Sequence, residues 1–334
     1  MASRTTVYFD ERWIGDHGIG RVAGVLRRGL ALTDLAAGGS PTSPLDPLRL
    51  SVRMLALPRE AAVLSPGFNA PWILARPYLF IIHDLNHIDR PENSGLLKRV
   101  YYRFVLKRAC RAAHRVLTVS EFSRSRIIEW SGVAAGKVIN IGNGVDASFA
   151  PDGPAFDAGA EYFLCVSNRK AHKNDARAIE AFAAARLASS VDLILTGPPT
   201  PRLSRLARDL GVGDRIRFVG HVPGDHLPPL YRGAVALLFP SLYEGFGLPV
   251  LEAMACGTPV LTSTATALPE VAGDAALLVD PTSVPEIARG IERLYGDAEL
   301  RATLRERGLQ RARQFDWNRV VDRVRAVLDS LATE

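Results

Sequence analysis

Cysteine and long apolar runs are scarce in this chain of 334 residues. Its three cysteines, Cys110, Cys165 and Cys256, are widely spaced and include no CxxC pair. We therefore expect neither a disulfide framework nor a cysteine metal site, and we expect a reducing compartment. No uncharged apolar run approaches the ~18 residues that a membrane-spanning helix needs, and the opening residues lack the apolar segment of a secretory signal. These absences predict a cytoplasmic protein, either soluble or bound peripherally at the inner face of a membrane.

The sequence also lacks several motifs of metal and nucleotide chemistry. It has no HExxH, no GxxxxGK[ST] and no GxSxG. These absences argue against a zinc protease, a P-loop nucleotide-binding protein and a hydrolase with a serine nucleophile. We expect no metal site and no cofactor. The formal net charge of +6 indicates an anionic partner.

Short apolar runs alternate with helical patterns along most of the chain. The runs predicted as strands are residues 5–9, 49–57, 78–82, 115–120 and 137–141 in the first half, and 162–167, 192–197, 215–220, 234–240, 259–263 and 276–280 in the second. Continuous apolar strands that alternate with helices are typical of parallel sheets covered on both faces. These eleven predicted strands are more than one doubly wound sheet usually contains, so we predict an α/β protein with two Rossmann-like domains.

The expected domain boundary lies in a segment without clear periodicity. Residues 143–161 are rich in Gly, Pro and Asp, and we place the linker there. The predicted domains are residues 1–150 and 155–315, followed by a last helix at 316–334. Residues 36–48 predict a flexible loop.

The strongest chemical signal is the run Glu244-Gly-Phe-Gly-Leu-Pro-Val-Leu-Glu252, which directly follows an apolar strand. Gly245 and Gly247 let a ligand approach the backbone closely, and Pro249 suits the first turn of a helix. Backbone N–H groups at a helix N-terminus can bind a diphosphate, and the two carboxylates can accept hydrogen bonds from ribose and sugar hydroxyls. The run indicates a nucleotide-sugar site, although its spacing alone fits a plain strand–turn–helix connection with a capping glutamate equally well.

Two other polar segments follow predicted strands. Residues 168–173, Asn-Arg-Lys-Ala-His-Lys, lie where a strand ends and a helix begins, which is a usual place to hold an anion. His83 ends the strand at 78–82, at the edge of a sheet where α/β proteins bind ligands. The loop could also be a solvated basic loop, and on the residues alone a capping or core histidine is the favoured interpretation of His83.

Residues 244–281 (EGFGLPVLEAMACGTPVLTSTATALPEVAGDAALLVDP) resemble the E-x7-E region of family-4 retaining glycosyltransferases with the GT-B fold. Weaker matches follow the family's order at HDL (83–85), TVSEFSR (118–124), NGVD (143–146), SNRKAHKN (167–174) and FVGHV (218–222). The resemblance spans nearly the whole chain. It implies two Rossmann-like domains whose parallel sheets face each other across a cleft. The acceptor would bind the first domain and the nucleotide-sugar the second, and the last helix would cross back to the first.

The resemblance also implies roles for particular residues in a metal-independent transfer with retention at the anomeric carbon. The residues implied at the catalytic centre are His83, Arg169, Lys173 and Glu244, and those implied to bind the donor are Gly18, Gly20, Lys170, Gly245, Phe246, Gly247, Leu248 and Glu252. Arg169 and Lys173 would neutralise the leaving diphosphate, with Lys170 as a substitute. Glu244 would orient the donor sugar, and Glu252 would bind the ribose.

The segment HDL followed by Pro91-Glu92 is similar to bacterial mannosyl- and rhamnosyltransferases of polysaccharide assembly. The resemblance therefore implies that a hexosyl group moves from a nucleotide-sugar to a hydroxyl of a glycan or lipid-linked acceptor. A GDP-mannose-like donor is favoured, and a UDP-sugar comes next. The absence of an Asp-x-Asp pair argues against the metal-dependent donor site of the other glycosyltransferase fold.

Two other functions stay open at this point. Gly18-x-Gly20-x-x-Ala23 is a partial dinucleotide fingerprint, which would indicate a nicotinamide-dependent oxidoreductase. However, its glycines come well after the first strand, and this function leaves the two glutamates of the E-x7-E run unexplained. A GT-B scaffold could also serve as a non-catalytic protein that binds a nucleotide-sugar or carbohydrate.

Residues 96–116 predict a basic amphipathic helix. Its basic residues recur every four positions at Arg99, Arg103, Lys107, Arg111 and Arg115. Such a face can bind an anionic membrane surface, or it can be a solvated face beside one core-facing stripe. Nucleic acid is not an expected partner.

Overall fold

Two compact units make up the part of the chain, residues 5–331, that the computed structural model describes. One comprises the described residues up to Gly144 together with those from Asp316 onward, and the other is Val145–Phe315. Each unit contains one six-stranded sheet whose neighbouring strands are all parallel. These sheets confirm the predicted α/β class with two parallel-sheet domains.

The first unit begins with alternating strands and helices. Its strands are Val7–Phe9 (β1), Thr33–Asp34 (β2), Ala62–Ser65 (β3), Tyr78–Ile81 (β4), Arg115–Thr118 (β5) and Val138–Asn140 (β6). Its helices before the second unit are Gly18–Gly29 (α1), Asp46–Leu55 (α2), Asn86–Asp89 (α3), Leu96–Tyr101 (α4), Lys107–Ala112 (α5) and Glu121–Ser131 (α6). The strand order is β2-β1-β3-β4-β5-β6. A π-helical turn at Tyr102–Leu106 joins α4 to α5.

The second unit repeats the same architecture. Its strands are Tyr162–Cys165 (β7), Asp192–Leu195 (β8), Ile216–Phe218 (β9), Ala236–Phe239 (β10), Val260–Ser263 (β11) and Leu277–Val279 (β12). Its helices are Asp175–Ala184 (α7), Pro201–Asp209 (α8), Leu227–Gly233 (α9), Leu248–Ala255 (α10), Leu268–Ala272 (α11), Val284–Gly296 (α12) and Ala298–Ala312 (α13). The strand order is β12-β11-β10-β7-β8-β9. Every residue of β7, β10 and β11 is buried, as expected for strands covered on both faces.

The last helix, Trp317–Ser330 (α14), packs within the first unit. Arg323 donates a hydrogen bond to the Ile141 carbonyl at 3.2 Å, and Arg325 donates one to the Gly29 carbonyl at 3.1 Å. A Cβ atom at Gly29 would lie 2.7 Å from the Val321 side chain. The close approach of α14 to α1 therefore requires glycine at this position.

The strand predicted at 49–57 is wrong, since these residues belong to α2 and the turn after it. The sequence there fits both periods. Leu50, Val52 and Met54 alternate as in a strand, whereas Leu50, Met54 and Leu57 are buried at helical spacing. Pro47 in the first turn favours the helix. The strand of this region lies at β3 instead, and neither β3 nor the short β2 was predicted.

All three cysteines are unpaired and buried, and burial raises the pKa of the Cys110 thiol to about 12. Within residues 5–331, no helix is both long enough and apolar enough to cross a bilayer.

Candidate active site

The glycine-rich turn before α10 provides a backbone surface for an anion. Gly247 is the N-cap residue of α10 and adopts a left-handed conformation with φ of 113°. It carries no side chain that could bond the first N–H groups of the helix, and a Cβ there would lie 2.6 Å from the Leu268 side chain. These N–H groups and the helix dipole together favour a negatively charged ligand. The structure therefore places a glycine N-cap where the sequence predicts one, and diphosphate binding at this turn stays a prediction.

The other residues of this turn support it in different ways. Gly245 is buried, and the buried Phe246 ring packs edge-on against Phe315 with 5.7 Å between ring centroids. Leu248 is half-buried and begins α10. Since the Phe246 ring is committed to the core, this residue can meet a donor only through its backbone.

Lys173 and Glu244 form an ion pair at 2.8 Å between Nζ and Oε1. Their side chains are only 13% and 12% exposed, so the pair is shielded from most of the solvent. Lys173 Nζ also lies 4.8 Å from the centroid of the Phe239 ring, within the distance of a cation–π contact. The Glu244 N–H donates to Thr266 Oγ1 at 3.0 Å. The structure therefore brings together two residues that are 71 positions apart in the sequence.

The loop that carries Lys173 is fixed at its far end by Asn174. Asn174 adopts a left-handed conformation with φ of 64°. Its Nδ2 donates to the carbonyl oxygens of Pro240 and Pro281 at 2.9 and 2.7 Å. Because Pro240 directly follows β10, these bonds attach the lysine loop to the strand that leads to Glu244.

Arg169 lies in the same loop, but its guanidinium is largely engaged within the protein. It donates to Asp175 Oδ2 and to the carbonyls of Gly197 and Pro198, each at 2.9 Å. Three of the five guanidinium N–H groups are thus used to join the loop to the segment after β8. Lys170, in contrast, is exposed. Of the basic residues predicted here, Lys173 is the one placed against a predicted catalytic carboxylate.

Glu252 lies in α10 and is buried, with 3% of its surface exposed. Its Oε2 accepts a hydrogen bond of 2.8 Å from the hydroxyl of Tyr231 in α9. Tyr231 is fully buried. The bond fixes one carboxylate oxygen of Glu252 between the two helices.

In the first unit, His83 lies just beyond β4. Its Nε2 is 2.9 Å from the Pro66 carbonyl oxygen. A carbonyl can only accept, so Nε2 carries the proton and Nδ1 has the lone pair. Burial lowers the pKa of His83, although the Pro66 bond and the Asp84 charge oppose this shift. His83 is therefore a neutral imidazole at neutral pH.

The glycines predicted at the first helix begin it. Gly18 is the first residue of α1, and the Gly20 N–H donates to His17 Nδ1 at 2.9 Å. A Cβ at Gly20 would lie 2.1 Å from the Gly15 carbonyl oxygen, so only glycine fits there. His17 also acts electrostatically to lower the pKa of His83, as the smallest of the causes.

The sequence reasoning did not identify Asp175, His17 or Tyr231. Asp175 anchors Arg169, and a signal for it existed, since an acidic residue opens the helix directly after the basic loop. His17 also had a signal, because it is a polar residue immediately before the glycines that open α1. Tyr231 had none, because its contact with Glu252 joins two helices.

Two known families match the chain. The family described as Glycosyltransferase Family 4 matches residues 60–149, and the family described as Glycosyl transferases group 1 matches residues 148–311. O-antigen chain mannosyltransferase B of Escherichia coli is 34% identical over 267 residues, which cover 76% of this chain and 70% of that protein. O-antigen chain mannosyltransferase RfbU of Salmonella typhimurium is 33% identical over 265 residues, which cover 75% and 72%.

A solved structure shares the fold along nearly the whole chain. The Anabaena protein Alr3699/HepE, in complex with UDP and glucose, superposes with a TM-score of 0.78 at 19% identity. The superposition covers 98% of this chain and all of that one. The chain thus has the GT-B fold, and its family matches make it a glycosyltransferase. The chain belongs to the family-4 glycosyltransferases, which confirms the resemblance seen at residues 244–281.

Proposed function

We propose that this enzyme transfers a hexosyl group from a nucleotide-sugar to a hydroxyl, with retention at the anomeric carbon and without a metal. The observation that carries the proposal is the Lys173–Glu244 pair beside the glycine-rich turn of α10. Membership in the family favours this function over a nicotinamide-dependent oxidoreductase.

In the proposed reaction, the bond between the anomeric carbon and the diphosphate oxygen breaks as a bond to the acceptor oxygen forms. The acceptor proton passes to the departing diphosphate. Negative charge grows on that diphosphate, and Lys173 stabilises it together with the N–H groups that open α10. Lys173 then shifts partly from Glu244 to the diphosphate. The Glu244 carboxylate accepts hydrogen bonds from the donor sugar.

Other residues take supporting roles in this proposal. Arg169 shapes the basic loop, since its guanidinium is bonded to Asp175 and to two carbonyls. Lys170, exposed on the same loop, is available to the diphosphate. Glu252 binds the ribose, with Tyr231 fixing its carboxylate. In the first unit, the N–H groups near Gly18 and Gly20 approach the donor, and neutral His83 contacts the transferred sugar.

For the substrates, we favour a GDP-mannose-like donor and place a UDP-sugar next. The two relatives described above are named as mannosyltransferases of O-antigen chains, which supports a mannosyl donor and a glycan or lipid-linked acceptor in surface polysaccharide assembly. The neighbour solved with UDP and glucose supports the second choice. We place the acceptor in the N-terminal domain, the nucleotide-sugar in the C-terminal domain and the reaction in the cytoplasm.

The test is a panel of GDP-, UDP- and dTDP-sugars incubated with the protein and a set of hydroxyl acceptors. We expect one donor to release its nucleoside diphosphate, and NMR of the product to show the anomeric configuration of the donor. An inverted product would contradict the retaining mechanism. Binding of a nucleotide-sugar without release, with every acceptor tried, would favour the non-catalytic alternative.

A further inference from the structure

The helix α2 in the first unit exposes a stripe of large apolar residues. Leu45, Leu48, Val52 and Leu55 are each more than half exposed. Their spacing of three and four residues places them on one side of the helix. The opposite side, with Leu50 and Met54, is fully buried. A soluble helix normally turns its polar residues outward, so this second apolar side is not explained by the core of the unit.

A second stripe lies on α4 and the π-helical turn after it. Leu96, Leu97, Val100 and Phe104 are exposed, and Leu97 is the most exposed of them at 79%. Basic residues accompany this stripe. Arg99 and Arg103 are exposed, and the Arg103 guanidinium lies 5.8 Å from the centroid of the Phe104 ring.

The segment around Trp72 joins the two stripes into one surface. The Trp72 N–H donates to the Pro47 carbonyl, and the Ile73 N–H donates to Ser51 Oγ, so this segment is bonded to α2. On its other side, the Arg108 guanidinium donates to the Trp72 carbonyl, which bonds the segment to α5. Trp72 and Ile73 themselves are about half exposed. We call the exposed apolar residues of α2, α4 and Trp72–Ile73, with the basic residues beside them, the docking face.

The charge on the docking face has one sign. No acidic residue occurs between Gly95 and Ser120, a stretch that contains Lys98, Arg99, Arg103, Lys107, Arg108, Arg111 and Arg115. None occurs in residues 61–83 either. The one carboxylate within α2, Asp46, is buried and paired with Arg12. An apolar surface with cations beside it fits an anionic lipid interface, where apolar groups enter the acyl boundary and cations meet the headgroups.

We propose that the docking face binds the anionic surface of a lipid bilayer, with the α2 stripe and Trp72 entering the interface beside the basic α4–α5 helix. This extends the membrane hypothesis from the basic residues of 96–116 to an apolar surface on α2 that the sequence analysis did not identify. A second copy of the chain is a poorer occupant, because a symmetric contact would bring the arginines of two α4 helices together. The proposal does not rest on the transfer reaction, and its test uses no donor sugar.

The test is co-sedimentation with vesicles of phosphatidylcholine alone, or of equimolar phosphatidylcholine and phosphatidylglycerol. We expect binding only to the anionic vesicles. We expect it to weaken as the Debye length falls from about 10 Å to about 3 Å. The emission of Trp72 should shift to the blue on binding, and Trp72→Phe should remove most of that shift. Absence of binding at low salt would overturn the proposal.

Two variants separate the apolar and electrostatic parts of the docking face. Leu48→Ser with Val52→Ser should weaken vesicle binding about tenfold or more, because both side chains lose apolar burial. Arg99→Glu with Arg103→Glu should weaken it roughly 30-fold or more, since each cation near an anionic surface contributes about a factor of five. Loss on charge reversal without loss on serine substitution would overturn the assignment of α2.

The second unit offers matched controls. Arg202 and Arg205 are exposed on α8, and Leu210 and Phe156 are exposed apolar residues. Arg202→Glu with Arg205→Glu, and Leu210→Ser with Phe156→Ser, should leave vesicle binding unchanged. Equal losses in these controls would contradict a local surface. Analytical ultracentrifugation completes the test by measuring the oligomeric state. The proposal would be overturned if the protein failed to bind vesicles but formed a dimer, and if Leu48→Ser with Val52→Ser made that dimer dissociate. The face would then bind a second copy of the chain.

Discussion

Two shielded ion-pair sites, one in each unit, are held in different ways. In the first unit, Arg12 bonds both Asp10 and Asp46, and Asn69 Nδ2 also donates to both carboxylates. In the second unit, Lys173 bonds the single carboxylate of Glu244. The first cluster spreads its bonds over several partners and stabilises the fold, whereas the Lys173–Glu244 pair rests on one contact. An anionic ligand can take over such a single contact, which is why we assign catalysis to Lys173 and scaffolding to Arg12.

The largest effect should come from removing the scaffold cation. In Arg12→Met, Asp10 and Asp46 remain buried without their counter-charge. We therefore expect the free energy of unfolding to fall by about 3–5 kcal/mol, as for other buried pairs that lose one partner. Urea denaturation measures it, with Arg59→Met at an exposed position of the same unit as the control. A loss no larger than the control's would show that the cluster is not a scaffold.

Removing Lys173, the cation to which we assign catalysis, should instead lower the rate. Lys173→Ala should reduce turnover by about 10²–10³-fold, because the departing diphosphate loses a positioned charge. Its loss of stability should be smaller than that of Arg12→Met, since only one carboxylate loses its partner. Steady-state kinetics and urea denaturation on the same preparation check both points. Near-normal turnover would move the role to Lys170, and Lys170→Ala would then show the loss.

A third substitution tests the buried glutamate of α10. Glu252→Gln should weaken nucleotide binding by about 1.5–3 kcal/mol, because the ribose loses a charged hydrogen-bond acceptor. Tyr231→Phe is the matched variant, since it removes only the hydroxyl that bonds Glu252. Calorimetry with the free nucleotide gives the affinities. If both variants lose stability while nucleotide affinity is unchanged, Glu252 belongs to the scaffold.

The smallest effect concerns His83 and pH. Burial holds the pKa of His83 below its ordinary value, so the folded protein resists a proton that the unfolded chain accepts. Its contribution to stability is therefore fully present above about pH 6.5, the ordinary pKa of histidine, and is lost as the pH falls below that value. Unfolding curves of the wild type and His83→Gln over this range measure it. The difference between them should shrink at acidic pH, and a difference that grows would contradict the neutral assignment.

The second unit was easier to predict than the first, for a physical reason. Its strands, such as β7 and β10, are fully buried and read as continuous apolar runs. In the first unit, the apolar residues of 49–57 fit a strand and a helix equally, because α2 has an apolar stripe on its exposed side as well as on its buried side. The short β2 carries no apolar residue at all. The spacing of apolar residues therefore fails to predict the secondary structure of segments whose apolar side chains are exposed to solvent.

The candidate site could be predicted only in part. Gly245, Gly247, Glu244 and Lys173 lie in loops that follow buried strands, so local pattern marked these loops as candidates. The family resemblance was needed to assign roles to the individual residues. Their pairing depends on the parallel neighbours β7 and β10, which no local pattern reveals. The bonds of Arg169 to Gly197 and Pro198 arise in the same way, from a loop after the neighbouring strand β8.

The central claim is that Lys173 recognises the diphosphate, and calorimetry on one pair of ligands tests it most directly. The ligands are the preferred nucleoside diphosphate and its monophosphate, each titrated into the wild type and Lys173→Ala. The account predicts that the variant loses affinity for the diphosphate about 10-fold or more, as for a lost charged hydrogen bond, and binds the monophosphate as the wild type does. Equal losses for both ligands, or no loss for either, would contradict it.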